Sequence, residues 1–381
     1  MPRHTSRSRR IATAALVALA FSAPFLPAGP AEEKKAPKTL EIGASAPDFD
    51  LPAVDGKRYS LKSFAAAKVL VVIFTCNHCP TAQAYEDRIV KLHAETKDKG
   101  VALVAISPND PLAVRLDELG YSDLSDSFEE MKIRAKAKDF KFPYLYDGET
   151  QAASRRYGVL ATPHVYVFDA DRKLRYVGRF DDSEVKTVKS HDARNAIDAL
   201  LAGKPVPVEK TKVFGCSTKW SEKREDAKKA VERWDREPVE LKPITAAELK
   251  ALTKNDSAKL RLVNVWASWC GPCVAELPDL VTIHRMYRGR PFECITVSMD
   301  SPEKSEPGLA VLKKIHASST NYIYSEESRD KLMEAVDPQW EGPLPHTVLI
   351  APGGKVIYRQ TGPFDPLALK RAIVGHVGRT Y

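Results

Sequence analysis

The sequence contains the same arrangement of residues twice, and this duplication constrains the fold more than any other feature. Two Cys-x-x-Cys pairs are present, Cys76 with Cys79 and Cys270 with Cys273. Each pair follows a short apolar run that predicts a buried strand, and each precedes apolar residues at helical spacing. The strand-like runs are residues 69–74 and 260–266, and the helix-like stretches are residues 82–97 and 274–287. Both pairs are therefore expected where a buried strand turns into a helix.

A second shared segment follows each pair. Pro163 and His164 open a strand-like run, a polar turn and another strand-like run, and Pro345 and His346 open the same series 182 residues later. The cysteine pairs are offset by 194 residues, so the first copy holds 12 more residues between its second cysteine and its proline. Strands that alternate with helices predict an α/β fold, with a sheet covered by helices on both faces in each copy.

Composition excludes several classes of protein. The 381 residues suffice for two domains, and 43% apolar with 28% charged residues fits neither a disordered chain nor a multi-span membrane protein. The net charge is +8, and it falls to +4 for a chain that starts at Glu32, with 54 basic against 50 acidic residues. So small an excess argues against nucleic acid as a partner. The sequence contains no phosphate loop, serine triad or nucleotide fingerprint.

The first 31 residues have the order of a secretory signal. A basic segment, residues 7–10, precedes an apolar run, residues 11–23, and small residues with prolines follow as far as Ala31. Thirteen helical residues span about 20 Å, short of the roughly 30 Å hydrocarbon core of a membrane. We therefore expect a signal cleaved after Ala20 or Ala31 and a periplasmic or secreted protein, whose cysteine pairs can be oxidised. The alternatives are an uncleaved signal that anchors the protein in the membrane and a cytosolic start.

The position of the cysteine pairs indicates thiol-disulfide exchange. A helix N-terminus lowers the pKa of a thiol, and the second thiol of a Cys-x-x-Cys pair can release the substrate from the mixed disulfide that the first one forms. Residues 266–273, WASWCGPC, closely resemble the active site of the thioredoxin superfamily. Residues 274–278, VAELP, resemble its TlpA-like periplasmic branch, which reduces or exchanges disulfides in exported proteins. The resemblance implies two thioredoxin-like domains, each with a central mixed sheet.

This resemblance also implies roles for the residues of the second copy. Cys270 is the attacking thiol and Cys273 the resolving thiol. Pro272 between them tunes the redox properties of the pair, and Trp269 before them contacts the substrate. These roles are expectations from the family.

The prolines after the pairs match a further feature of the family, a cis peptide bond beside the cysteines. Pro163 and Pro345 are the matching positions in the two copies. The residue before this proline usually pairs with the substrate backbone, so Thr162 and Leu344 are the expected substrate contacts.

Proton transfer in the second copy needs a group other than the one that thioredoxin uses. Thioredoxin has an aspartate six residues before its first cysteine, whereas this sequence has Asn264 there. Glu276, three residues after Cys273 and on the same helical face, is the candidate for accepting its proton. The alternative is an exposed acid in the first turn that only stabilises the helix.

The first copy resembles a different branch of the superfamily. Residues 42–56 are similar to the start of the redoxin branch that contains the AhpC/TSA peroxiredoxins, and the resemblance extends to about Leu201. A peroxiredoxin has Thr or Ser three residues before its peroxidatic cysteine and Pro three residues earlier. This sequence has Ile73 and Leu70 at those positions relative to Cys76. The motif therefore favours dithiol exchange over the usual peroxidase chemistry.

In this first copy, Cys76 is expected to lie at the helix N-terminus and to attack, and Cys79 is expected to resolve. His78 lies between them and, when protonated, would stabilise the Cys76 thiolate and make this pair the more oxidising of the two. The alternative is an ordinary solvent-facing histidine. No acid in the first copy corresponds to Glu276.

The predicted organisation has four parts. They are a signal peptide (1–31), a redoxin-like domain (38–205), a charged linker (206–240) and a TlpA-like thioredoxin domain (241–381). Cys294 lies in a strand-like run and is expected to be a buried core residue. Cys216, just after the first domain, is a resolving thiol for Cys76, an intermolecular partner or an inert thiol.

These features predict a thiol-disulfide oxidoreductase that acts on thiols and disulfides of exported proteins, in cytochrome c maturation or periplasmic redox homeostasis. The cysteines carry the electrons, so neither an organic cofactor nor a metal is expected. The resemblance implies a membrane reductase as electron donor. The two pairs either pass electrons in sequence or act as independent arms. The alternatives are a thiol peroxidase and a copper carrier of the Sco type, although the latter would have three residues between its cysteines.

Overall fold

The computed structural model describes Met1, residues 37–184 and residues 187–380. The predicted signal segment, residues 1–31, lies outside the described residues apart from Met1. Among the residues described, no helix is both long enough and apolar enough to cross a membrane.

The first domain is built on a mixed sheet. Its strands in chain order are β1 (Asp50–Pro52), β2 (Arg58–Ser60), β3 (Val69–Phe74), β4 (Val101–Ser107), β5 (Tyr144–Tyr146), β6 (Ala161–Thr162), β7 (His164–Phe168) and β8 (Leu174–Gly178). Its helices are α1 (Pro80–Thr96), α2 (Phe128–Ala137), α3 (Ala152–Tyr157) and α4 (Asp192–Leu201). The main sheet has the order β5-β4-β3-β7-β8. The central strand β3 is parallel to β4 and antiparallel to β7.

Strand β3 shows why this sheet lies between two layers. All of its residues are buried. Alternate residues starting at Val69 pack with residues of α1, α2 and α4, whereas those starting at Leu70 pack with residues of α3. Successive side chains of a strand point to opposite faces, so a strand that is covered on both faces is apolar throughout.

The segment expected as a charged linker, residues 206–240, contacts both domains. Its strand β9 (Cys216–Ser217) pairs antiparallel with β6 of the first domain. Its helix α5 (Arg224–Asp235) ends in Asp235, whose carboxylate lies 2.7 Å from the guanidinium of Arg285 in the second domain. The segment is therefore part of the folded structure along these contacts.

The second domain repeats the architecture and adds a strand at one edge. Its strands are β10 (Lys242–Ile244), β11 (Leu260–Trp266), β12 (Phe292–Ser298), β13 (Thr320–Tyr324), β14 (His346–Ile350) and β15 (Val356–Thr361). Its helices are α6 (Ala246–Lys254), α7 (Gly271–Tyr287), α8 (Ser305–Lys314), α9 (Arg329–Val336) and α10 (Pro366–Val377). The sheet order is β10-β13-β12-β11-β14-β15, with β11 parallel to β12 and antiparallel to β14. Residues of α7 and α10 cover one face, and residues of α6 and α9 cover the other. The predicted fold, two α/β domains with mixed sheets covered on both faces, is confirmed.

The additional residues of the first copy lie mainly between β4 and α2. This connection spans residues 108–127, whereas the matching connection between β12 and α8 spans residues 299–304. The longer connection packs against the second domain, because Val114 and Leu119 join the apolar cluster that contains residues of α7. Burial of these side chains at the interface favours a fixed contact between the domains.

Polar contacts extend this interface. The hydroxyl of Tyr287 donates to the carbonyl oxygen of Ser122 at 2.9 Å. The guanidinium of Arg379 lies 2.6 Å from the carboxylate of Asp123. The described residues of 37–184 and 187–380 accordingly belong to one compact unit.

Candidate active site

The second cysteine pair lies where β11 leads into α7. Cys270 is the N-cap residue of α7, and its sulfur accepts a hydrogen bond from the backbone N–H of Cys273 at 3.3 Å. The two cysteines are joined by a disulfide bond. The amides and the dipole of a helix N-terminus stabilise a thiolate, so Cys270 is placed to act as the nucleophile when the pair is reduced.

The surroundings of this pair are open to solvent. The Trp269 side chain is 63% exposed, and Gly271 and Pro272 are exposed as well. The Leu344–Pro345 peptide bond is cis, as expected. In the described part of the chain, no strand pairs with the backbone of Leu344. This edge of the site is therefore available to an incoming peptide.

Glu276 lies one turn along α7 from Cys273 and is buried. Its carboxylate accepts hydrogen bonds from the Asn264 side-chain amide at 2.8 Å and from the backbone N–H of Phe364 at 3.2 Å. Burial raises the pKa of Glu276 to about 7, although both hydrogen bonds oppose the shift. An acid that titrates near pH 7 can exchange a proton with a thiol during turnover. The alternative of an exposed first-turn acid is excluded.

The first cysteine pair has a different relation to its helix. Helix α1 begins at Pro80, so its N-cap residue is Cys79 and not Cys76. The backbone N–H of Ala82 donates to the Cys79 sulfur at 3.4 Å. Proline favours the first helical position because the N–H that it lacks has no partner there, and Pro80 thus sets the start of the helix. The expectation that Cys76 lies at the helix N-terminus is wrong.

His78 is buried against Asp126, a residue of the 108–127 connection. The two side chains form an ion pair, with His78 Nδ1 2.6 Å from Asp126 Oδ2. Burial acts to lower the pKa of His78, but the charge and hydrogen bond of Asp126 outweigh it, and the pKa is raised. The alternative of a solvent-facing His78 is therefore excluded. Asp126 is the ion-pair partner of this histidine.

Further contacts fix Asp126 in this position. The backbone N–H groups of Asn77 and His78 donate to Oδ1 at 2.9 and 3.0 Å, and the Asn109 side-chain amide donates to Oδ2 at 2.7 Å. These charge-assisted hydrogen bonds hold the turn between the two cysteines. Asp126 thus places a carboxylate beside the first pair, but His78 and the hydrogen bonds lower its pKa, whereas the pKa of Glu276 is raised.

The two thiols of this pair are shifted in opposite directions. Burial raises the pKa of Cys76, and its hydrogen bond with Cys79 and the negative charge of Asp126 add to the effect. Burial also acts to raise the pKa of Cys79, but hydrogen bonds with Cys216 and Cys76 and the charge of His78 lower it well below the usual value. The thiolate is therefore favoured on Cys79. The prediction that His78 stabilises a thiolate on Cys76 is therefore wrong. Cys76 Sγ lies 3.6 Å from His78 Nδ1, but the charge of His78 lowers the pKa of Cys79.

Thr162 lies against both cysteines. The Thr162–Pro163 peptide bond is cis, as expected. The Thr162 hydroxyl oxygen is 3.1 Å from Cys76 Sγ, and its carbonyl oxygen is 3.3 Å from Cys79 Sγ. The backbone of Thr162 pairs with Cys216 of β9. A strand of the same chain thus occupies the position at which the resemblance predicts a substrate backbone.

The sequence does not identify Asp126, because it lies in the long connection between β4 and α2, where no motif marks it. Cys216 is a candidate resolving thiol from its sequence, but the sequence does not show that it lies beside Cys79, 137 residues away. For the position of the first cysteine pair, the clearest signal in the sequence was Pro80, which marks the start of α1. Cys294 is buried in β12, as predicted, and burial raises its pKa to about 12.

Among the described residues, one group of side chains has the composition of a metal site. Ligand atoms of Cys76, His78 and Asp126 lie within 4.8 Å of one another. However, His78 Nδ1 already pairs with Asp126, and Cys76 Sγ lies within hydrogen-bond distance of Thr162. Each of these three groups therefore has a hydrogen-bonding partner within the protein.

Both domains share a strand order, a Cys-x-x-Cys pair at the end of the central strand and a cis proline before the next antiparallel strand. These features define a tandem protein of the thioredoxin superfamily. More particularly, residues 42–177 match the AhpC/TSA family and residues 239–373 match the Redoxin family.

The chain is also similar to curated proteins named thiol-disulfide oxidoreductase ResA. It is 32% identical to the protein of Oceanobacillus iheyensis over 95 residues, which is 25% of this chain and 45% of that protein. It is 28% identical to the protein of Bacillus subtilis over 100 residues, 26% of this chain and 51% of that protein. The chain thus spans about half the length of these relatives.

Solved structures with some likeness include two proteins without an assigned function. A hypothetical protein from Sinorhizobium meliloti is 32% identical, with 49% of this chain and 97% of that chain covered and a TM-score of 0.44. An uncharacterized conserved protein from Geobacillus kaustophilus is 38% identical, with 49% and 95% covered and a TM-score of 0.44.

Proposed function

We propose that this protein is a thiol-disulfide oxidoreductase whose Cys270–Cys273 pair exchanges disulfides with exported proteins. The observation that carries the proposal is the geometry of that pair: a disulfide at the N-terminus of α7, with an open face beside Leu344. The similarity to proteins named ResA supports the same activity.

The chemistry follows from the placement of three side chains. In the reductive direction, the Cys270 thiolate attacks a substrate disulfide and expels one substrate thiolate. Cys273 then attacks the Cys270 sulfur, which releases the second substrate thiolate and closes the Cys270–Cys273 disulfide. Glu276, with a pKa of about 7, takes the proton that Cys273 must lose.

The cellular setting is also a proposal. The signal-like order of residues 1–31 supports export to the periplasm or secretion, with membrane anchoring if the signal is retained. In that compartment, a membrane reductase would supply electrons, and the substrates would include proteins of cytochrome c maturation or of general periplasmic redox homeostasis.

Reduction potentials of the separate pairs test this proposal. Each pair is measured in a full-length variant in which the other pair is changed to serine, equilibrated in glutathione or dithiothreitol buffers. A reversible two-electron couple near about −270 mV for Cys270–Cys273 would match thioredoxin-like reductants. A potential near about −120 mV for Cys76–Cys79 would identify that pair as a strong oxidant. Absence of a reversible couple at Cys270–Cys273 would contradict the proposal.

A thiol peroxidase activity of the first domain is the second candidate, and the match of residues 42–177 to the AhpC/TSA family favours it. The burial of Cys76 and its raised pKa argue against rapid attack on peroxide. Peroxide consumption that is lost in Cys76→Ser and kept in Cys270→Ser would establish this activity.

A further inference from the structure

Strand β9 brings a third cysteine to the first pair. Cys216 is the register partner of Thr162 in the β6–β9 ladder. Its backbone N–H donates to the Cys79 sulfur at 3.4 Å, and its side chain packs against a cluster formed by Cys76, Cys79 and Ala82. Three sulfur-bearing residues therefore share one site.

The three cysteines differ in their access to solvent. Cys76 is 2% exposed and Cys79 is 0% exposed, whereas Cys216 is partly exposed and lies between the exposed residues Gly215 and Ser217. A protein thiol or disulfide that approaches this site meets Cys216 before it can reach the inner pair. The outer position is therefore the point at which exchange can start.

Close approach and anchoring fix β9 in this place. A Cβ at Gly215, whose φ is +135°, would lie 2.1 Å from the carbonyl oxygen of Thr162, so only glycine allows this contact. Just after the C-terminal end of β9, the backbone N–H of Lys219 donates to the Asn109 side-chain oxygen at 2.9 Å. The Gln151 side-chain amide donates to the Lys219 carbonyl oxygen at the same distance. These buried polar contacts make β9 a built part of the site.

We propose that Cys216 is a third redox-active residue of the first domain and forms a disulfide with Cys79 during exchange with external protein disulfides. This inference rests on the proposed thiol-disulfide activity and names a further catalytic residue for it. Strand β9 then takes the place of a substrate strand. It pairs with β6 in the way that an extended peptide adds to the edge of a sheet.

The exchange balances in three steps. The Cys216 thiolate attacks an external protein disulfide, so that a mixed disulfide forms and one external thiolate leaves. Cys79 attacks the Cys216 sulfur, which forms the Cys79–Cys216 disulfide and releases the second external thiolate; the two protons of the cysteines pass to these thiolates. Cys76 then attacks Cys79, closes the Cys76–Cys79 disulfide and returns Cys216 as a thiol, which takes the proton that Cys76 loses. The net result is one external disulfide reduced and one pair oxidised.

Disulfide mapping in the Cys76→Ser variant tests the inference. Trypsin places Cys79 in the peptide 69–88 and Cys216 in the peptide 213–219, so a link between these peptides identifies the bond without ambiguity. The full-length variant is oxidised with diamide, alkylated, digested and analysed by mass spectrometry. We expect the linked peptides in most molecules, with reversal by dithiothreitol. Persistence of Cys79 and Cys216 as alkylated thiols, or links only between two chains, would overturn the inference.

Two controls separate this result from folding and from the proposed function. Cys76→Ser with Cys294→Ser should keep the link, because Cys294 is buried in β12, and Cys76→Ser with Cys216→Ala should lose it. As a single substitution, Cys216→Ala should slow oxidation of the first pair by a protein disulfide at least tenfold relative to the wild type. The Cys270–Cys273 potential is measured in the same samples. If that couple is reversible while the link is absent, the inference fails and the proposed function stands.

Discussion

The residues before the two cysteine pairs show how differently the two domains use one arrangement. Trp269 precedes Cys270 and is largely exposed, whereas the matching Thr75 precedes Cys76 and is buried. Beside the cis prolines, Leu344 has no described strand partner, whereas Thr162 pairs with β9. The second site is therefore open to a protein substrate, and the first is covered by its own chain.

The difference comes from segments outside the shared fold. The connection 108–127 supplies Asp126 to the first site, and the segment 206–240 supplies Cys216. The second domain has neither at the equivalent place, and its acid, Glu276, lies on α7 itself. One sheet order thus supports two thiol environments, which shows that added loops, and not the Cys-x-x-Cys motif alone, determine access and charge.

The largest expected effect separates the two pairs by their access to a protein substrate. Cys270→Ser should reduce the turnover of a protein disulfide such as insulin by at least about 100-fold, because it removes the exposed nucleophile. Cys294→Ser, which changes a core thiol, should stay within about twofold of the wild type. Equal losses from Cys270→Ser and Cys76→Ser would contradict the division into an open and a covered site.

The same assay distinguishes a relay from independent arms. With the Cys76–Cys79 pair replaced by serine, unchanged turnover at Cys270 would show independent arms. A loss of turnover that returns with small disulfides as substrate would indicate that electrons pass from one pair to the other. Each 30 mV of potential difference between the pairs corresponds to about 1.4 kcal/mol of driving force.

Glu276→Gln should produce the second largest effect. Without a proton acceptor of pKa about 7, release of substrate by Cys273 should slow by about 100-fold, and the rise in rate between pH 6 and 8 should flatten. Glu276→Asp should restore part of the rate. Glu293→Gln, a change in the partly exposed ion pair with Arg261, serves as the matched control. An unchanged pH profile in Glu276→Gln would exclude proton transfer by this residue.

The pH dependence of the folding stability gives an independent test of the raised pKa of Glu276. Its folded pKa of about 7 lies above its ordinary value of 4.5, so the folded state loses stability as the pH rises from 4.5 through 7, by roughly 3 kcal/mol. Glu276→Gln lacks this charge and should gain stability relative to the wild type over that range. Urea unfolding at pH 5 and pH 8 measures the difference.

Features that depend on short stretches of the sequence could be predicted, whereas contacts between residues far apart in the sequence could not. The strands, the cysteine pairs and the two cis prolines follow from patterns within short stretches of the sequence. The pairing of His78 with Asp126 and of Thr162 with Cys216 depends on how long loops close, and a single sequence does not specify that closure. Pro80 is an intermediate case, because its preference for the first helical position was visible and predicts Cys79 as the N-cap.

Asp126→Asn should change the covered site through its ion pair. Both side chains are buried, and loss of one charge from a buried pair typically costs about 3–5 kcal/mol. The raised pKa of His78 means that its stabilisation is complete below pH 6.5 and is lost as the pH rises through the folded pKa. The lowered pKa of Asp126 means that its stabilisation is present above pH 3.8 and is lost as the pH falls through the folded pKa.

The difference in stability between the wild type and Asp126→Asn should therefore be largest between about pH 4 and 6.5 and smaller at pH 9. Asp87→Asn, which removes an exposed partner of Lys138, should change stability by less than about 1 kcal/mol. The same difference at pH 6 and pH 9 would show that the pair does not titrate as proposed. The potential of Cys76–Cys79 should also fall in Asp126→Asn, because a less charged His78 stabilises the Cys79 thiolate less.

The smallest expected effect concerns substrate contact at the open site. Trp269→Ala should raise KM for a protein disulfide by roughly fivefold, about 1 kcal/mol, and leave kcat unchanged, because an exposed aromatic side chain contributes to binding and not to the sulfur chemistry. Turnover of a small disulfide should not change. Leu112→Ala, which truncates a side chain 66% exposed in the first domain, is the matched control for loss of surface apolar area. An equal rise in KM from both variants would mean that protein substrates contact the two domains alike, and the contrast between an open and a covered site would then need revision.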